Sequence, residues 1–89
     1  MKVLLITYDL KHPKNSYKSF FDVLKSAPKW WHYLESTWLI VSDESPKEWN
    51  DKLISNIYET DRIFIIEVKP NYYGWLTKDS WKWIEKNLG

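Results

Sequence analysis

The stretch that decides the fold is Val3-Leu4-Leu5-Ile6-Thr7-Tyr8-Asp9-Leu10. Its residues from Val3 to Tyr8 are apolar or favour strands, and a run this short and this apolar predicts a strand buried on both faces. A charge cannot stay inside such a strand, so we expect Asp9 to lie where the strand ends. The fold is therefore set by how the rest of the chain covers this strand.

The composition bounds the class of protein. The chain has 89 residues, which is one domain, and an unusually high aromatic content of 18% with seven tryptophans. It has no cysteine, which excludes disulfides and thiolate zinc sites. The N-terminus has no signal-peptide pattern, and no apolar run approaches the roughly 20 residues needed to span a bilayer. We therefore expect a soluble cytoplasmic protein with no membrane partner.

The charges are distributed unevenly along the chain, although the formal net charge is only +1. Residues 1–32 carry six lysines against two acids, a net +4. Residues 33–61 carry seven acids against two lysines, a net −5, and residues 62–89 return to +2. The global balance argues against strong non-specific nucleic-acid binding, but a basic face on part of the molecule is compatible with the sequence.

Apolar spacing and turn signals predict the order β-α-β-β-α-β followed by a C-terminal helix. The predicted strands cover residues 2–8, 30–35, 37–42 and 62–68, and the predicted helices cover 17–26, a segment after Ser45, and 78–88. The two middle strands could instead form one bulged strand. We expect Ser16, Ser45 and Thr77 to cap the three helices, and Ser45 is followed by Pro46 and Glu48, which together predict a capping box.

This order predicts an α+β protein with a ferredoxin-like fold. Right-handed crossovers would give a four-stranded antiparallel sheet with two helices on one face, plus a C-terminal helix. The first, third and fourth strands are apolar on both faces, while the two crossover helices can cover only one. The other face must be covered by the C-terminal segment, by a second copy of the chain, or by both, and this predicts a homodimer.

Several motifs carry a resemblance to known families. Tyr8-Asp9-Leu10 after the first strand, together with Ser36 and Trp38, resembles the small CRISPR-associated adaptation subunit, the Cas-two family. A wider set is similar to a group of small bacterial proteins called SinR-like: Ile6-Thr7-Tyr8-Asp9-Leu10, Trp30-Trp31-His32-Tyr33-Leu34-Glu35-Ser36-Thr37-Trp38-Leu39-Ile40, Asp61-Arg62 and Gly74-Trp75-Leu76.

The resemblance implies a dimeric ferredoxin-like protein that handles nucleic acid. Some members of the Cas-two family are metal-dependent nucleases, which implies Mg²⁺ as a cofactor and Asp9 as its ligand. The chain departs from that family at its C-terminal end, where the family usually has further strands and this sequence predicts a helix. That departure concerns partner docking more than the fold.

Asp9 is the candidate catalytic and metal-binding residue. If a two-fold axis brought two copies of Asp9 together, the pair could hold Mg²⁺, which needs only one or two carboxylates besides waters and phosphate oxygens. The alternative is structural: Asp9 accepts hydrogen bonds from backbone N–H groups of the loop at residues 10–15.

The candidate nucleic-acid-binding residues are lysines and aromatic side chains. The lysines, which could line one ridge, are Lys11, Lys14, Lys18, Lys25 and Lys29. On a strand, Trp30 and His32 share one face while Trp31 and Tyr33 share the other, so one pair could stack on bases or on a partner. The alternatives are a solvated helix face for the lysines and ordinary packing for the aromatic residues.

Three functions are compatible with these patterns. The first is a dimeric nucleic-acid-binding protein, with weak Mg²⁺-dependent nuclease activity if it is an enzyme at all. The second is a non-catalytic binding module whose aromatic residues hold a nucleotide or a protein partner. The third is a structural subunit without a small ligand.

Overall fold

The computed structural model describes all residues of the chain, Met1–Gly89. The strands are β1 (Lys2–Asp9), β2 (Lys29–Leu34), β3 (Thr37–Ser42) and β4 (Arg62–Glu67). The helices are α1 (Lys18–Lys25), α2 (Pro46–Ile54) and α3 (Lys78–Leu88), and a 3₁₀ turn at Lys14–Tyr17 precedes α1. The predicted class is confirmed: an α+β protein with three helices and four strands. None of the helices is both long enough and apolar enough to cross a membrane.

The four strands form one antiparallel sheet in the order β2-β3-β1-β4. The most apolar strand, β1, is central, and its Leu5 pairs with Leu39 on one side and with Ile66 on the other. The segment after α1 is a pair of strands rather than one bulged strand, although its pairing is irregular between Trp31 and Leu34. Because β1 lies between β3 and β4, its backbone N–H and C=O groups are hydrogen-bonded on both sides, as the burial of so apolar a strand requires.

The first face of the sheet packs against α1 and α2. Because side chains alternate along a strand, Leu4 and Ile6 of β1 point to this face. They meet Trp38 and Ile40 of β3 and the apolar sides of the two helices. The fully buried helix residues in this cluster are Phe20, Leu24, Trp49 and Leu53, of which Trp49 is 2% exposed and the others 0%.

The second face is only partly covered. Ile84 of α3 packs against a smaller buried cluster on this face, whose other members are Val3, Trp31, Leu39 and Val41. Farther along the face, Phe64 is 60% exposed and Ile66 is 46% exposed. The C-terminal helix therefore takes part of the position for which the sequence predicted a second copy, and it leaves the edge formed by β4 open.

Two of the three predicted helix caps are confirmed. Ser45 and Glu48 form a complete capping box, and Thr77 accepts a hydrogen bond from the backbone N–H of Ser80. The prediction for Ser16 is wrong, because the 3₁₀ turn comes first and α1 begins only after Tyr17. The N–H of Ser16 donates to the carbonyl oxygen of Pro13, and its hydroxyl makes no capping bond.

Replacing the capping serine of α2 should destabilise the protein. Ser45→Ala removes the acceptor of the Glu48 N–H, and losing such a cap costs about 1 kcal/mol of the free energy of unfolding. Ser16→Ala is the matched control, since that serine caps nothing, and it should leave the urea midpoint nearly unchanged. Equal midpoints for the two variants would contradict the assignment of the cap.

Candidate functional site

A polar crevice of about 280 Å³ lies at the end of β1, where the sequence predicted a site. Asp9, His12, Lys14 and Glu35 border it. Asp9 is exposed, and its carboxylate forms an ion pair with Lys11 at 2.7 Å between Nζ and Oδ2. Both partners of this pair face solvent, so the pair contributes little to stability.

The residues around Asp9 do not complete a magnesium site within one chain. Asp9 and Glu35 both border the crevice, but no three histidine, aspartate or glutamate side chains come close enough together to hold a metal ion. Magnesium bound by one or two carboxylates takes its remaining ligands from water and phosphate. A site at Asp9 would therefore depend on the substrate or on a second copy of the chain.

The structural role considered for Asp9 belongs to Asp61 instead. No backbone N–H of the loop at residues 10–15 donates to the Asp9 side chain. The buried carboxylate of Asp61 accepts from the N–H of Lys11 at 2.8 Å and from the N–H of Tyr58 at 2.9 Å. It also accepts from the hydroxyl of Tyr17, which lies 2.8 Å from each carboxylate oxygen.

The hydrogen bonds to Asp61 keep it ionised in spite of its burial. Burial by itself would raise the pKa of this carboxyl, but the N–H groups of Lys11 and Tyr58 and the hydroxyl of Tyr17 lower the pKa below its usual value. The pKa of Tyr17 changes in the opposite direction, because burial and the adjacent carboxylate of Asp61 raise it. The tyrosine hydroxyl is thus fixed as a donor to Asp61 and accepts from the N–H of His12 at 3.1 Å.

The predicted lysines are all exposed but do not form one compact patch. Lys11 and Lys14 lie near the end of β1, whereas Lys29 begins β2 at the opposite end of the sheet, where it pairs with Val41. Two of the five are already paired with acids: Lys11 with Asp9, and Lys18 with Asp22, in each case at 2.7 Å. What remains is a discontinuous strip that runs along α1.

The predicted aromatic residues separate onto the two faces of the sheet. Trp30, 40% exposed, and His32 both pack against Trp38, with ring centroids 5.1 Å and 4.1 Å away. Trp31 lies on the opposite face, under α3, and is only 2% exposed. A nucleobase therefore has access to Trp30 but not to Trp31.

A hydrogen-bonded chain joins the two strands behind the crevice. The indole N–H of Trp38 donates to the hydroxyl of Tyr8 at 3.0 Å, and that hydroxyl donates to the carbonyl oxygen of Glu35 at 3.2 Å. Burial of the ring raises the pKa of Tyr8, and the hydrogen bond from Trp38 offsets part of that rise. The phenol therefore serves as a neutral structural bridge to the turn between β2 and β3.

A second and larger concavity lies on the partly covered second face. This groove has a volume of about 530 Å³, and 12 of its 16 lining residues are hydrophobic. The sheet contributes Leu39 and Ile66, and α3 contributes Trp81 and Ile84. The segment between β4 and α3 forms its rim. Its size is within the range of ordinary ligand pockets, and its lining is that of an apolar site.

The rim of the groove carries the most exposed aromatic side chains of the chain. Tyr73 is 101% and Trp75 is 99% exposed relative to a reference residue. Tyr73 lines the groove, and Trp75 lines a neighbouring depression of about 440 Å³ that shares Leu34 and Leu76 with the groove. In the sequence, Gly74-Trp75-Leu76 carried only the resemblance to the SinR-like group, and the remaining signal for a site in this segment is its density of aromatic residues.

One buried polar atom has no partner, and it belongs to a residue of this groove. The indole Nε1 of Trp31 is buried and makes no hydrogen bond within the chain. A buried donor without an acceptor costs about 1–3 kcal/mol, so natural structures rarely keep one without a reason.

Comparison with known proteins adds no further constraint. No protein family model, curated protein or solved structure matches the chain.

Removing the charge of Asp61 should destabilise the fold strongly at neutral pH. Asp61→Asn replaces an acceptor by an amide group that faces several donors, at a cost of about 2–3 kcal/mol in the free energy of unfolding. Asp22→Asn, at an exposed ion pair, is the control and should cost less than about 0.5 kcal/mol.

Wild type and Asp61→Asn should also differ in how their free energy of unfolding depends on pH. Because the pKa of Asp61 is lowered on folding, its contribution is fully present above the ordinary aspartate pKa of about 3.9 and is lost as the pH falls through the lower folded value. The stability difference between wild type and Asp61→Asn should therefore narrow in acid. A difference that stays constant down to the acid transition would contradict this assignment.

Proposed function

We propose that the protein is a ferredoxin-like, non-catalytic binding module that holds an apolar segment of a partner protein in the groove of its second sheet face. The ferredoxin-like assignment is supported by the strand order, which reads β4-β1-β3-β2 from the open edge, and by the position of α1 and α2 on one face. The binding assignment is supported mainly by the exposure of Tyr73 and Trp75 beside an apolar groove.

The chemistry of the groove favours a protein segment as its occupant. Exposed apolar side chains surround it, among them Leu34 at 46% and Ile66 at 46% exposure. Nucleic acid would find only one cation in the lining, Lys69, and Glu67 stands near it. Contiguous exposed apolar surface marks protein interfaces, and tryptophan and tyrosine are the residues that most often dominate their binding energy.

The proposal can be tested by NMR with N-acetyl-tryptophanamide as an apolar, uncharged probe. Titrated into ¹⁵N-labelled protein, the probe should shift the resonances of the groove residues and leave the crevice at Asp9 unaffected. Ile66→Glu places a carboxylate in the groove lining and should weaken the probe's binding at least tenfold. Ile54→Glu is the matched control, since Ile54 is equally exposed, at 48%, but lies on α2 and outside the groove.

Three outcomes would overturn the groove assignment. One is equal probe affinity in the two glutamate variants, and another is a set of shifts centred on the crevice. The third is a mononucleotide such as AMP, tested in parallel, that shifts the groove resonances at lower concentration than the probe does. That last result would make the occupant a nucleotide rather than a protein segment.

Nucleic-acid binding by the opposite face is the second candidate. It is supported by the strip of exposed lysines along α1 and by the crevice, which combines Asp9 with Lys14 and His12. Trp30 adds an accessible aromatic surface on the same side of the sheet. In this alternative, Mg²⁺-dependent cleavage would require Asp9, together with phosphate oxygens and a second carboxylate.

This candidate predicts salt-dependent affinity for an oligonucleotide. Binding of single-stranded or duplex DNA should weaken strongly between about 50 and 200 mM salt. If the protein cleaves DNA with Mg²⁺, Asp9→Asn should abolish cleavage while it changes the free energy of unfolding by less than about 0.5 kcal/mol, because the Asp9–Lys11 pair is exposed. Cleavage that survives in Asp9→Asn would exclude Asp9 as the catalytic residue.

A further inference from the structure

The outer edge of β4 lacks the features that usually prevent strands from pairing between molecules. Edge strands are commonly protected by proline, lysine, bulges or a covering segment. The other edge, β2, begins with Lys29 and has an irregularity between Trp31 and Leu34. By contrast, β4 is regularly paired throughout Arg62–Glu67 and contains neither lysine nor proline.

The register of the sheet identifies which backbone groups of β4 point outward. The N–H of Val68 donates to the carbonyl oxygen of Val3, so these two residues form a hydrogen-bonded pair next to the paired residues Leu4 and Glu67. Hydrogen-bonded and non-bonded pairs alternate in an antiparallel ladder. It follows that Ile66, Phe64 and Arg62 direct their backbone groups toward β1, and that the other three residues of the strand direct theirs away from it.

The outward-facing backbone groups belong to Ile63, Ile65 and Glu67. No other strand or side chain of the protein supplies a hydrogen-bond partner to them. Their spacing is self-complementary: in an antiparallel pair of two such strands, Ile65 lies opposite its own copy and Ile63 lies opposite Glu67 of the other chain. All three residues then form backbone hydrogen bonds at once, and no like charges face each other.

We propose that two copies of the chain associate edge to edge through β4, around a two-fold axis at Ile65, and form one continuous eight-stranded sheet. The axis is perpendicular to the sheet, so each face of one copy continues into the same face of the other. On the second face, Phe64 of each copy is then opposite Ile66 of the other, at the short spacing of a non-hydrogen-bonded pair. Two side chains that are 60% and 46% exposed in one chain cover each other in the dimer.

The second copy contributes to the binding surface as well as to stability. Ile66 lines the groove, and the partner's Phe64 stands beside it in the dimer. The two grooves are therefore joined by an apolar strip made of both chains, and each groove gains a wall that a single chain lacks. This association goes beyond the proposed binding function and does not depend on it, because the edge pairs whether or not the groove binds a partner.

Cysteine crosslinking tests the geometry directly, since the natural chain has no cysteine. In a hydrogen-bonded antiparallel pair the two Cα atoms at position 65 are about 5.5 Å apart. That distance lies within the range of about 4.4–6.8 Å that a disulfide requires. Ile65→Cys should form a covalent dimer under mild oxidation. Ile63→Cys is the matched control on the same face of the same strand, because its two copies are separated by four residues, or roughly 13 Å.

Sedimentation of the cysteine-free protein provides the second measurement. Wild type should shift from monomer to dimer as its concentration rises, and Phe64→Lys should raise the dissociation constant at least tenfold. Tyr33→Lys replaces a similarly exposed aromatic residue, at 70%, on the other edge strand and should dimerise like wild type.

A protein that stays monomeric at all concentrations would overturn the proposal. So would equal crosslinking at positions 63 and 65, or a dimer weakened by Tyr33→Lys instead of Phe64→Lys. Failure of the probe titration described for the groove would leave these results unaffected, so the two proposals fail separately.

Discussion

The buried carboxylate of Asp61 is the interaction on which the rest of this structure depends. It lies just before β4 and binds the loop that follows β1, the 3₁₀ turn before α1, and the segment that follows α2. Lys11 and Tyr17 are far from Asp61 in the sequence, whereas Tyr58 precedes it by three residues. Without this charged acceptor, the backbone N–H groups of Lys11 and Tyr58 and the hydroxyl of Tyr17 would lose their partner at the end of the sheet, at a cost in the free energy of unfolding.

This constraint divides the molecule into two regions with different chemistry. At the end of the sheet where Asp61 lies, polar atoms are nearly all paired, and the exposed charges of Asp9 and Lys11 neutralise each other. On the second face, between α3 and the open edge of β4, apolar atoms are left in contact with solvent. The exposed apolar surface therefore lies on the second face, and the paired charges of Asp9 and Lys11 lie at the end of the sheet near Asp61.

Much of the fold could be predicted from the sequence because its signals are local. The apolar run of β1, the spacing of apolar residues in the helices and the capping box at Ser45 each lie within one element. The roles of Asp9 and Asp61 could not be predicted in the same way. Both are acids beside a strand, and which of them is buried depends on a contact with Tyr17, far away in the chain. The prediction for Ser16 was wrong for a similar reason. The 3₁₀ turn that delays the start of α1 is closed by a hydrogen bond from the N–H of Ser16 to the carbonyl oxygen of Pro13.

The two candidate sites also differ in how far they could be predicted from local sequence. The crevice could be predicted from the sequence, because a charge after an apolar strand must lie at the end of that strand. The groove could not be predicted, because it exists only where α3 crosses the sheet, and the angle of that crossing leaves no local pattern in the sequence. The presence of seven tryptophans in so short a chain indicates that some aromatic residues are exposed. Only the packing separates Trp31, which is buried, from Trp75, which is not.

The position of β1 also sets the order in which the chain can acquire its structure. This strand is synthesised before the other three, yet Leu4 pairs with Ile40 and with Glu67, which follow much later in the chain. Only the pairing of β2 with β3 joins neighbouring segments, so that hairpin can form early, whereas closing the sheet around β1 requires two long loops to be ordered. The nascent chain therefore carries an unpaired and strongly apolar strand until β3 emerges, and one edge of that strand stays unpaired until β4 follows.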